Sequence, residues 1–137
     1  MGFFSKLFGS GQRDENGRFL APELFAQKRS QQLAMTPQTI AQLRTLGVSK
    51  TTPLRLEFFF FTNAEKKAAA LANSLGNLGY TVSFGASESD DKLFVVTGWT
   101  LPIAMEDQGV LDWTAHMCNV GFEHDCEFDG WGTTPEQ

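Results

Sequence analysis

The hydrophobic pattern of this chain changes period near residue 52, and that change divides it. Before it, apolar residues recur at helical spacing. Pro22 to Ala34 carries Leu24, Phe25, Lys28 and Gln32 on one repeat, with a proline near the first turn, which predicts a helix. Thr36-Pro37 then predicts the start of a second helix, with Thr36 as N-cap, Ile40, Leu43 and Leu46 as the apolar stripe and Gly47 as the stop. After it, Leu54-Arg55-Leu56-Glu57-Phe58-Phe59-Phe60-Phe61 begins as an alternating strand and ends apolar on both sides. A run apolar on both faces belongs in the middle of a sheet or under a cover.

The alternation of elements continues to the end of the chain. Asn63 predicts a cap for a helix over Ala64–Leu78, with Ala68, Leu71, Ala72, Leu75 and Leu78 on one stripe and Gly79 as its end. Tyr80 to Phe84 reads as a second strand, Ser87 to Asp91 as a polar turn and Lys92 to Thr100 as a third strand. Past Pro102, the acids Glu106 and Asp107 favour a helix start, and the helix is expected to reach about Asn119 with Gly121 terminating it. His124 to Phe128 is the fourth strand, followed by an Asp129-Gly130 turn signal. The order β-α-β-β-α-β predicts an α+β, ferredoxin-like sandwich: a four-stranded antiparallel sheet with two helices on one face, preceded by an N-terminal helical arm.

Three segments follow from this: a flexible N-terminal segment 1–21, a helical arm 22–50 and the sandwich domain 51–137. Gly9 to Gly17 has linker composition, and Met1 to Phe8 is a short amphipathic piece expected to be disordered or docked on the protein's own surface. It is too short for a secretory signal, and position 6 is Lys where the myristoylation pattern needs Ser or Thr. No run of about 20 apolar residues occurs, so no membrane span is expected.

Composition adds two points. With 13 Phe against one Tyr, the core is expected to be rich in phenylalanine. Two cysteines, Cys118 and Cys126, provide no disulfide framework, so a reducing cytoplasm is the simplest location. The net charge of −5 conceals an asymmetry. Residues 1–50 hold Lys6, Arg13, Arg18, Lys28, Arg29, Arg44 and Lys50 against Asp14, Glu15 and Glu23, a net of +4. Residues 51–137 hold four basic residues and thirteen acids, a net of −9. An acidic domain repels nucleic-acid phosphate and suits a partner with a basic segment.

Strand alternation sorts the remaining residues by face. If Leu54, Leu56, Phe58 and Phe60 point to the helices, then Arg55, Glu57, Phe59 and Phe61 point away, and Asp125, Glu127 and Asp129 join them on that far face. Phenylalanines exposed on a four-stranded sheet can stack RNA bases. Here carboxylates share the face and cations are scarce, so direct nucleic-acid binding is not expected. A cover, from the N-terminal helices or a second subunit, accounts for Phe59 and Phe61 instead.

No catalytic constellation emerges. His116, Cys118, His124 and Cys126 have a His-x-Cys spacing, but residues two apart on a helix point about 200° from each other. Neither cysteine has a glycine loop or third orienting group near it in sequence, which a Cys–His nucleophile would need. Glu57 and Glu127 read as members of a solvated face, and no phosphate-binding glycine loop follows a strand. Neither cofactor nor metal is expected.

A strand containing Glu57-Phe58-Phe59-Phe60, a helix ending Leu78-Gly79-Tyr80 and the closing Glu127-Phe128-Asp129-Gly130-Trp131-Gly132-Thr133 together resemble the ribonuclease E inhibitor RraB family, whose last strand ends in a Tyr/Phe-Asp-Gly-Trp-Gly-Thr turn. The resemblance runs from Pro53 to Thr134. It implies a cytoplasmic regulator that binds the scaffold part of ribonuclease E, alters the RNA-degrading complex and lowers cleavage of some transcripts, with no chemistry of its own. Family members carry a long acidic tail that does not appear before Gln137, and a basic helical arm precedes the domain here. Under this reading Glu57, Glu88, Asp90, Asp91, Asp125, Glu127 and Asp129 are the candidate partner-binding residues. Phe59 and Phe61 are candidates for a homodimer face or small-ligand pocket, and Trp131 for a plug in the core.

Overall fold

The computed structural model describes residues 17–137. The Met1–Phe8 piece and most of the expected linker lie outside the described residues. Helix α1 spans Pro22–Thr45 as one continuous element of 24 residues, where the sequence predicts two helices separated at Thr36-Pro37. Pro37 cannot donate to the carbonyl one turn back, which costs about 3 kcal/mol in an isolated helix. Thr36, Ile40 and Leu43 are buried along this stretch, and their tertiary packing outweighs the local preference. Thr36 is therefore not a cap. Its hydroxyl donates to the Gln32 carbonyl at 3.0 Å inside the helix.

The chain then forms β1 (Pro53–Leu54), β2 (Glu57–Thr62), α2 (Glu65–Gly76), β3 (Thr81–Ala86), β4 (Phe94–Trp99), β5 (Ile103–Ala104), α3 (Asp107–Glu123) and β6 (Glu127–Gly132). The strand expected over Leu54–Phe61 is thus two pieces. Leu54 pairs with Ile103 in a separate two-stranded sheet, and the Leu56 N–H donates at 3.0 Å to the Thr100 hydroxyl rather than to a backbone partner. The main sheet has the antiparallel order β3-β4-β2-β6, the split arrangement that the element order predicts. Strands β2 and β4 are central, which explains their apolar character on both faces.

One face of the sheet carries the core. Phe58, Phe60, Val96 and Phe128 meet Leu71 and Leu75 of α2 and Val110, Trp113 and Met117 of α3. Ile40 and Leu43 of α1, with Val48 after it, belong to the same buried cluster. The phenylalanine excess is used here: Phe60 lies 5.1 Å from Phe128, and Trp113 meets Phe128 edge-on at 89°.

Two boundaries near the C-terminus differ from expectation. Helix α3 runs through Gly121 to Glu123. Gly121 is a close-packing position rather than a stop, because a Cβ there would lie 2.8 Å from the Cys126 carbonyl and 2.9 Å from the Phe60 ring. The chain then turns at Asp125 (φ 58°), so the last strand starts at Glu127 instead of His124. The Asp-Gly-Trp-Gly segment lies inside this strand and is not a turn after it. Phe60 pairs with Phe128 and Phe59 with Gly130, leaving Asp129 as the extra residue of a β-bulge.

Candidate functional site

The acids expected on the far face fall into two groups, and the arm separates them. Asp125 leaves the face altogether. It is buried in the turn before β6, where its carboxylate accepts the Phe19 and Leu20 N–H groups at 2.8 Å each. Lys67 of α2 pairs with it at 2.5 Å and Arg18 at 3.5 Å. The Arg18 guanidinium also lies 4.1 Å over the Phe122 ring. A carboxylate in a left-handed turn thus clamps the start of the arm to the end of α3, and Phe19 and Leu20 form a second small core with Leu93, against which Phe61 packs.

Glu127 does occupy the far face, opposite Phe61, but only 1% of it is exposed. Lys28 of α1 reaches it at 3.5 Å, and among the described residues neither of its oxygens has a hydrogen-bond partner. Burial pushes its carboxyl up to about 7, against the opposing pull of Lys28. Burial also raises Asp129, again opposed by Lys28. The open carboxylate stripe expected from alternation is therefore interrupted by the arm: folding places Arg18 and Lys28 on two of its members.

The bulge creates the third feature. Phe59, Asp129, Gly130 and Trp131 face Gln32, Met35, Thr36 and Thr39 of α1 across a cleft of about 210 Å³. Gly130 adopts φ 137°, which an L side chain rarely takes, so the motif's first glycine is fixed by the backbone. Trp131 is half-buried and packs against the main core cluster. Its indole N–H donates to the Thr36 hydroxyl at 3.2 Å and its ring meets Trp113 edge-on at 6.2 Å, so it ties the bulged strand to α1 and α3.

The other candidate acids remain outward. Glu57 is half-buried at the start of β2, opposite Trp99 on one side and Gly132 on the other. Glu88 and Asp91 are exposed in the β3–β4 loop, where Asp90 accepts the Lys92 N–H at 2.9 Å. Phe59 is half-buried on the far face beside the cleft. Sequence reasoning missed Arg18, Lys28, Lys67, Thr36 and Gln32 as partners of these residues. The basic excess of the arm was a signal for the first two; nothing local marks the others.

The cysteines and histidines do not assemble a reactive centre. Burial raises Cys118 to about 11 and Cys126 to about 12, which leaves both as thiols at neutral pH. His124 Nε2 lies 3.0 Å from the Ser74 hydroxyl, but among the described residues no carboxylate hydrogen-bonds its other nitrogen. Among the described residues no three His, Cys, Asp or Glu side chains come together as metal ligands, and no helix is long and apolar enough to cross a membrane.

A family model described as Regulator of ribonuclease activity B matches residues 33–133. No curated protein matches the chain. The matched stretch begins within α1 and ends just past β6, so it takes in the sandwich, the bulged Asp-Gly-Trp-Gly strand and the second half of α1. The clamp residues Arg18, Phe19, Leu20 and Lys28 precede it. The fold, the split strand order and the match over most of the chain agree, and the chain belongs to the RraB family, the regulators of ribonuclease activity B.

Proposed function

We propose that this protein is a non-enzymatic, cytoplasmic regulator that binds a basic segment in the scaffold part of ribonuclease E and thereby modulates RNA degradation. The observation that carries the reading is the family match over residues 33–133. The charge distribution supports it. Residues 18–20 and Lys67 take up Asp125 and Lys28 of the arm takes up Glu127, while Glu57, Glu88, Asp90, Asp91 and Asp129 keep the domain acidic toward a partner. The raised thiols fit a protein that works by contact rather than by nucleophilic chemistry.

The test is a cleavage assay with full-length ribonuclease E and a transcript substrate. Added protein should slow cleavage in a saturable way, and the effect should vanish with ribonuclease E lacking its scaffold region. Unchanged cleavage at saturating protein, with no co-purification, sinks the reading.

A second reading, a homodimeric or small-ligand-binding module unrelated to ribonuclease E, draws on the cleft of about 210 Å³ beside half-buried Phe59. A monomer by light scattering at high concentration removes its dimer form.

A further inference from the structure

The two edges of the main sheet are treated differently. Edge strand β6 carries a bulge, and α1 packs beside it, with Lys28 on Glu127 and Thr36 on Trp131. Both are devices that keep an edge from pairing with another chain. Edge strand β3, Thr81-Val82-Ser83-Phe84-Gly85-Ala86, has α2 packed against it but no bulge, and Thr81, Ser83, Phe84 and Ala86 stay exposed. It contains no charge and no proline, and it pairs with β4 over all six residues without a register shift. Among the described residues no strand lies on its other side. Phe84 is 41% exposed there.

Such an edge is a template for an added strand, because every second residue directs its N–H and C=O outward. The charge beside it indicates what fits. Directly after β3, Glu88 and Asp91 stand exposed in the loop to β4. A strand laid along β3 would run its neighbouring residues past these carboxylates. We infer that β3 is the docking edge for an extended basic segment of a protein partner, which adds as a fifth strand, sets an apolar side chain beside Phe84 and places Lys or Arg against Glu88 and Asp91. This rests on the proposed binding of ribonuclease E and specifies how that binding occurs. Among the acids it gives the loop pair, Glu88 and Asp91, the contact beside the added strand.

The experiment is amide hydrogen exchange on the full chain, alone and with the ribonuclease E scaffold region as probe. Alternate amides within Thr81–Ala86 should gain protection of tenfold or more on addition of the scaffold. Phe84→Lys should weaken binding at least tenfold. Glu88→Gln with Asp91→Asn should weaken it several-fold and reduce its salt dependence, while Asp112→Asn, at an exposed position on α3, leaves it unchanged. Proline at Ser83 or at Phe84 provides a further check. One of these neighbours has its N–H turned outward, and proline there should block docking with the thermal melt retained. Scaffold binding with β3 exchange unchanged overturns the inference and leaves the proposed function standing. Protection of β3 that rises with protein concentration alone assigns the edge to a second copy and likewise overturns it. No binding of the scaffold by the parent chain removes both.

Discussion

Glu127 is a residue whose position costs the protein something at neutral pH. Its carboxyl is raised to about 7 by burial, so folding favours the protonated form. That stability is fully present below the ordinary carboxylate value of 4.5 and is lost as pH rises through about 7, where the charge is left to Lys28 at 3.5 Å. Glu127→Gln should flatten the pH dependence of urea unfolding between these limits and should be more stable than the parent at pH ~8, on the order of 2 kcal/mol. An unchanged profile would show that Lys28 already compensates the charge. Trp131 belongs to the same scale. Because it is half-buried, Trp131→Ala should cost about 2–3 kcal/mol, less than a fully buried indole would, measured by denaturant midpoint. Loss of the fold would mean that it is the plug its sequence context suggested.

At the scale of elements, the clamp at Asp125 and the continuity of α1 decide how the arm sits. Asp125→Ala removes the acceptor for two buried N–H groups and leaves Lys67 only its bond to the Asn63 side chain. A loss of about 2–4 kcal/mol is expected, together with fast amide exchange at Phe19 and Leu20. Persisting protection there would show that the small core with Leu93 holds the arm unaided. These elements also show what sequence patterning can reach. The sheet order, the three main helical segments and the buried face of β2 were legible, because period and turn residues are local properties. The bulge at Asp129, the unbroken passage through Pro37 and the extension of α3 through Gly121 were not. Each depends on what packs against the element: α1 beside β6, Thr36 under Trp131, and the Phe60 ring against Gly121. For the same reason, alternation assigned Asp125 and Glu127 to an open face, and only the folded arm reveals their cations.

At the scale of the molecule, the opposed charges of the two halves are partly an internal matter. Arg18 and Lys28 meet Asp125 and Glu127, and Arg44 pairs with Asp107 at 2.6 Å, so the basic arm is spent in part on the acidic domain. What remains is a net charge of −5, with Glu88 and Asp91 exposed beside an unprotected strand edge. A contact made by such a surface weakens as salt screens it. The most direct test of the central claim is calorimetric titration of the full chain with the scaffold region of ribonuclease E at about 50 and 300 mM salt. Saturable binding that weakens about tenfold or more at the higher salt is expected. Absence of binding at either concentration, or an affinity indifferent to salt, would contradict it.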